Sequence, residues 1–168
     1  MKIMIISDIH GGYDNLEKVL DIFDREKYDK LFILGDLYSY YDSIENDYVV
    51  NRLNNIENKL IVRGNCDFDI NIPEILNIAL NGFKMTLTHG HLYSKEYLLN
   101  QDTDIIFIGH THKPCILFEN NKYIVNPGSI SKSREGENSF GVLDNNTIYI
   151  KNLNNEILKQ EYIKKQYN

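Results

Sequence analysis

The chain has 168 residues, 42% of them hydrophobic and 25% charged, a size and balance that fit one soluble globular domain and argue against a disordered chain. A formal net charge of −6 disfavours broad attraction to nucleic acid or an anionic membrane, so neither stable nucleic-acid binding nor membrane association is expected. A small anionic substrate remains compatible, because bound cations can reverse the field inside one cleft.

The apolar start MKIMII stops at Ser7 and Asp8, short of a secretory h-region, and no run reaches the roughly 20 apolar residues that cross a bilayer. With only two cysteines and no export signal, a cytoplasmic location without a Cys66–Cys115 disulfide is expected. Short runs rich in Ile, Val, Leu and Phe predict buried strands over 2–7, 31–34, 59–62, 84–88 and 105–108. After the first strand, Leu16, Val19, Leu20 and Phe23 share one helical face, predicting a helix over 13–25. A second helix is predicted over 43–56, with Ile44, Tyr48 and Leu53 on its buried side, and a short third over 94–99. Asn81 and Gly82 tolerate positive φ and signal a hairpin. The Asn pairs at 120–121 and 145–146 join strands near 115–119, 122–125, 139–144 and 147–151. The last dozen residues are compatible with a strand or a frayed helix. Strands alternating with helices predict an α/β sheet with parallel elements in the first half, and the second half reads as mostly antiparallel.

All five histidines follow a predicted strand by a few residues. The first strand delivers Asp8 and His10, the second Asp36, the third Asn65, the fourth His89 and His91, and the fifth His110 and His112. Ligands of α/β sheets bind beyond the carboxyl ends of strands, so these side chains should converge on one crevice. Residues two apart, such as Asp8 and His10, would point the same way from an extended backbone. Gly35, Gly64, Gly90 and Gly109 would let the chain turn beside them.

Carboxylates, imidazoles and an amide suit manganese, iron, zinc or nickel, with manganese the expected ion. Asp8, His10, Asp36, Asn65, His89, His110 and His112 exceed one tetrahedral site, whereas two ions sharing Asp36 would use all of them. Such a pair, about 3.5–4 Å apart, holds a hydroxide at neutral pH and stabilises in-line displacement at phosphorus. His91 fits a substrate contact or a residue behind the ligands. Arg63, Lys132 and Arg134 are candidates for substrate phosphate contacts or plain solvated cations, and Cys115 reads as a core residue. The tyrosines of YSYYD, 38–42, either line a pocket or pack beside it.

The ordered set DIH (8–10), GD (35–36), GNCD (64–67), HGH (89–91) and GHTH (109–112) resembles the calcineurin-like metallophosphoesterase superfamily. NPGS at 126–129 points to its small YfcE-like phosphodiesterase branch. The resemblance implies an αββα architecture, two mixed β-sheets packed as a sandwich and flanked by helices. It makes Asp8, His10 and His112 ligands of one metal, Asn65, His89 and His110 ligands of the other, and Asp36 their bridge. Many members carry an arginine after the GD aspartate, where this chain has tyrosines.

Most members also have histidine at the position of Cys66, where, supported by the acidic residue that follows (here Asp67), it resembles a proton donor or charge stabiliser. A thiol, with a pKa near about 8.5 and no cationic form, offers only a weak neutral donor. Losing that cation handicaps a dianionic monoester more than a singly charged diester. The expected function is therefore hydrolysis of a small phosphodiester by hydroxide held between two divalent metals, with His91, Cys66 and Asp67 orienting substrate or assisting the departing alkoxide. A phosphomonoesterase or nucleotidase is the enzymatic alternative. A non-catalytic scaffold, like the retromer sorting subunit of this superfamily, is the alternative of another class. Self-association stays open.

Overall fold

Strand β1 (Lys2–Ile6) is buried on both faces: Ile3 and Ile5 enter one core, Met4 and Ile6 another. A strand of continuous apolar sequence is stable only inside a sheet covered on both sides. The computed structural model describes residues 1–39 and 43–164 and supplies that cover. After β1 come α1 (Tyr13–Arg25), β2 (Lys30–Ile33), α2 (Ser43–Asn54), β3 (Lys59–Ile61), β4 (Ile75–Leu80), β5 (Phe83–Thr88) and α3 (Lys95–Leu99). Then follow β6 (Ile105–Phe107), β7 (Cys115–Glu119), β8 (Lys122–Asn126), β9 (Ser139–Asp144), β10 (Thr147–Asn152) and β11 (Ile157–Tyr162).

One sheet has the order β11-β10-β9-β1-β2-β3 and the other β4-β5-β6-β8-β7. Both are mixed: β1, β2 and β3 run parallel in the first, and β5, β6 and β8 in the second, with antiparallel neighbours outside them. Between the sheets, Ile3, Ile5 and Phe32 meet Phe83, Met85, Leu87 and Phe107. The Phe32 and Phe107 rings cross edge to face, 6.1 Å between centroids, a favoured aromatic geometry. Leu16, Val19 and Leu20 of α1, with Val49 and Leu53 of α2, cover the outer face at Met4, Ile6 and Ile33. Leu98 and Leu99 of α3 cover Ile106 and Ile124 on the far side. The expected four-layer sandwich is thus the observed one.

The differences lie at element ends and on α2. β1, β2, β3 and β6 stop a residue before the expected 7, 34, 62 and 108, where the chain passes into the loops that carry the site. In the back half, hairpins are antiparallel as expected, but the second sheet has a parallel centre. Asn81 and Gly82 form the expected two-residue turn, with φ of 53° and 77°. Residues 157–162 settle the tail as a strand paired with β10, while 165–168 lie outside the described residues. So do residues 40–42 of the tyrosine run. The expected buried side of α2 is corrected: Ile44 and Tyr48 are 77% and 54% exposed. Leu53 is buried as expected, and Val49, four residues before it, faces the core with it in place of the other two.

Candidate metal centre

Parallel strands within each sheet bring their carboxyl ends to one rim, and there the predicted residues meet. The two sheets are joined at this rim by His89, whose Nδ1 lies 2.6 Å from the Leu34 carbonyl. Asp8, His10, Asp36, His110 and His112 have φ of 54°, 47°, 56°, 65° and 59°, left-handed conformations uncommon outside glycine. The expectation that Asp8 and His10 project from extended backbone is therefore corrected. The β1 ladder ends at Ile6, and left-handed residues alternating with ordinary ones roll the chain so that its side chains still converge. Held strain of this kind gathers where function fixes the backbone.

Asp8, His10 and His112 offer ligand atoms within 4.8 Å of one another, and so do Asp8, Asp36 and His89. Asp8 Oδ1 lies 3.2 Å from His112 Nε2 and 3.9 Å from both His10 Nε2 and His89 Nε2. Asp36 Oδ2 lies 3.3 Å from His89 Nε2 and 3.7 Å from His10 Nε2. His10 and His112 bring their Nε2 atoms within 3.2 Å. Asn65 Oδ1 approaches His89 Nε2 at 3.1 Å. His110 is placed less tightly: its ring centroid is 5.2 Å from that of His89, and its backbone N–H donates to Asp8 Oδ2 at 3.1 Å.

This donor set fits divalent cations. Asp8 is fully buried, yet its Oδ1 has no hydrogen-bond partner among the described residues. His112 Nδ1 lies 2.6 Å from the Lys132 carbonyl, as His89 Nδ1 does from Leu34. A carbonyl only accepts, so in the neutral ring both Nδ1 atoms carry the proton and both Nε2 lone pairs face inward, the tautomer a metal ligand needs. Burial disfavours a charged His89, but Asp36, Asp8 and the Leu34 carbonyl outweigh it and raise its pKa. Asp8 raises His112 against the opposing effect of burial. Burial would raise Asp36, but His89 and Cys66 overcome it and hold the carboxyl well below the usual range. Burial lowers His10 despite Asp36 and Asp8.

Asp67 and Cys66 brace the centre from behind. The Asp67 carboxylate, buried, accepts backbone N–H bonds from Asp36 (2.8 Å), Leu37 (2.7 Å) and Gly64 (2.8 Å), which ties the GD and GNCD loops together. Cys66 donates its N–H to Asp36 Oδ1 at 2.8 Å, and its sulfur forms a third compact group with His10 and Asp36. Gly64 has to be glycine, since a Cβ there would sit 2.1 Å from Asp36 Oδ1. Neither cysteine is in a disulfide.

Sequence reasoning missed Asn126 and Ser129 as parts of this frame. Buried Asn126 donates to the Gly109 carbonyl (2.7 Å) and Thr111 Oγ1 (3.0 Å), and accepts from Gly128 N–H (2.9 Å). Buried Ser129 donates to the Asp8 carbonyl (2.7 Å) and accepts from the N–H groups of Ser131 and Lys132 (3.1 and 2.7 Å). The NPGS stretch was the available signal: polar residues flanking Pro and Gly directly after a buried strand. Around the centre, His91 sets its ring centroid 5.3 Å from His89, with Nδ1 buried and unpartnered among the described residues. Arg63 is paired with Glu74 rather than turned to the site. Lys132 lines a cavity beside His10, and Arg134 contributes its backbone N–H to the His112 carbonyl at 3.1 Å.

Carboxylates and inward-facing imidazoles at the rim of a four-layer αββα sandwich define a metal-dependent phosphoesterase class. The chain belongs to the calcineurin-like phosphoesterase superfamily, whose domain matches residues 1–147. It is 37% identical to the phosphodiesterase YfcE of Escherichia coli strain K12, covering 93% of this chain and 94% of YfcE. The phosphodiesterase MJ0936 of Methanocaldococcus jannaschii is 27% identical over 86% of this chain and 93% of its own. The E. coli YfcE structure superposes with a TM-score of 0.88, at 32% identity, covering 98% of this chain and all (100%) of that one. Vps29 of Entamoeba histolytica, in its zinc complex, superposes at 0.72 with 26% identity over 97% and 98% of the two chains. Among the described residues no helix is long and apolar enough to cross a membrane.

Proposed function

We propose that the protein is a metal-dependent phosphodiesterase acting on a small diester, with manganese as its working ion. The observation that carries this is the pair of adjoining groups, Asp8–His10–His112 and Asp8–Asp36–His89, in which a buried carboxylate oxygen has no hydrogen-bond partner among the described residues. The diesterase names of the E. coli and M. jannaschii relatives support the substrate class. In this reading Asp8, His10 and His112 would hold one cation and Asn65, His89 and His110 the other, with Asp36 available to both. When bound, two such cations supply charge neutralisation at the phosphoryl oxygens and activation of a water at neutral pH.

The chain's own groups do the rest. Carbonyls of Leu34 and Lys132 keep His89 and His112 in the ligand tautomer. Asp67 fixes the backbone that carries Asp36, so the bridging carboxylate does not have to reorganise during turnover. Burial, with His89 and His110 nearby, lowers the His91 pKa. His91 is then neutral at pH 7 and offers a hydrogen bond to a substrate or leaving-group oxygen. Cys66 gives the site no cation, which favours the singly charged diester over the dianionic monoester. A cytoplasmic location belongs to the same reading, since a reducing compartment keeps both thiols reduced.

The test is hydrolysis of bis(4-nitrophenyl) phosphate and 4-nitrophenyl phosphate with manganese. Turnover of the diester in excess, lost in Asp36→Asn and on metal stripping, is the expected result; activity that persists in stripped protein would refute the scheme. In Cys66→His, the monoester-to-diester ratio should rise, and an unchanged ratio would remove the thiol as the cause of the preference.

A further inference from the structure

Because α2 turns Val49 and Leu53 into the core, Ile44 and Tyr48 are left along a cavity of about 530 Å³. Tyr48 packs its ring edge-on against Tyr13, 4.2 Å between centroids, and both rings line the same space. His10, Ser131 and Lys132 line it as well, so the cavity is continuous with the metal centre through a residue of that centre. Ser131 Oγ is buried there without a hydrogen-bond partner among the described residues.

A phosphodiester carries two ester arms, and the cavity beside His10 offers room for one of them. The cavity is far larger than a bare phosphate or a methyl group needs, and lies within the roughly 300–1,000 Å³ of pockets that enclose drug-sized ligands. Part of its wall is two phenol rings and an exposed isoleucine, groups that gain most from a flat, apolar partner, and Asp14, Lys18 and Glu45 line it as well. Lys132 and the Ser131 hydroxyl, which has no hydrogen-bond partner among the described residues, suit an anionic or hydroxyl oxygen. We propose that this cavity receives one arm of the diester, and that the arm carries an aryl or heteroaryl ring. The inference rests on the phosphodiesterase reading and narrows its substrate class to ring-bearing esters.

Phenyl phosphate and methyl phosphate share the phosphate and differ in the ring, so their inhibition constants against bis(4-nitrophenyl) phosphate isolate it. In the manganese-loaded wild type, phenyl phosphate should bind about tenfold or more tightly than methyl phosphate. Tyr48→Ala should bring the two within about threefold, and Tyr48→Phe should restore the gap. Equal constants in the wild type, or a gap that survives Tyr48→Ala, would overturn the proposal. Calorimetric titration of both esters into the metal-loaded protein separates the two readings. Tight phenyl phosphate binding without diester turnover would contradict the hydrolytic reading and keep the ring site; turnover without ring preference would contradict the ring site alone.

Discussion

Asp8 and Asp36 share a few ångströms with three imidazole nitrogens, and protons compete with metal for that space. His89 and His112 are raised above the ordinary histidine value in the metal-free protein, so both retain protons above about pH 6.5 that a cation must displace. Manganese affinity should therefore rise with pH and still be rising above about 6.5, levelling off once both rings have lost their protons, with proton release on binding. Calorimetry in buffers of different ionisation enthalpy measures this, and enthalpies independent of buffer at pH 7 would contradict it. Far from the centre, Tyr28 buries a hydroxyl with no partner among the described residues. Lys2 Nζ sits 4.3 Å from its ring centroid. Tyr28→Phe keeps the ring and removes the unpaired hydroxyl, so urea unfolding should show no loss and a gain of up to about 1 kcal/mol. A loss above about 1 kcal/mol would reveal a partner for that hydroxyl. At this scale the convergence of the candidate ligands was legible, because each follows an apolar run. The left-handed φ of Asp8, His10 and Asp36 was not, since hydropathy carries no sign of φ.

One short stretch, residues 126–129, organises the elements around the centre. Ser129 reaches across 121 positions of sequence to the Asp8 carbonyl, and Asn126 holds the loop of His110 and His112. Both are fully buried, so truncation strands donors and acceptors that water cannot reach. Ser129→Ala should cost about 1–3 kcal/mol in stability and about 10–100-fold in manganese affinity, read by urea unfolding and metal titration. Unaltered affinity would show that the turn supports the fold and not the ligands. These braces were illegible beforehand because they join residues far apart in sequence, and nothing local marks their partners. The same limit explains α2. Ile44 with Tyr48 fits one helical stripe and Val49 with Leu53 another, and packing against Met4 and Ile33 selects the second. Hairpins, by contrast, are written locally: Asn81–Gly82 and Asn120–Asn121 adopt the positive φ their side chains permit.

For the whole molecule, the sandwich followed from an ordered set of motifs, while the number of parallel strands in its second sheet came only from the pairing of β5, β6 and β8. Crowding buried carboxylates and imidazoles without a cation weakens the metal-free state, so binding and folding are coupled. Manganese at a hundred times its dissociation constant should add about 2.7 kcal/mol for each ion bound, raising the melting temperature by about 5–10 °C per ion for a chain of this size. A chelator should reverse it. Central to the account is a pair of cations held together by Asp36, and manganese stoichiometry combined with electron paramagnetic resonance tests it most directly. Two ions per chain with a spin-coupled signal, reduced to an uncoupled one in Asp36→Asn, is the predicted result. Fewer than two ions at saturation, or two whose signal is uncoupled in the wild type, would contradict it.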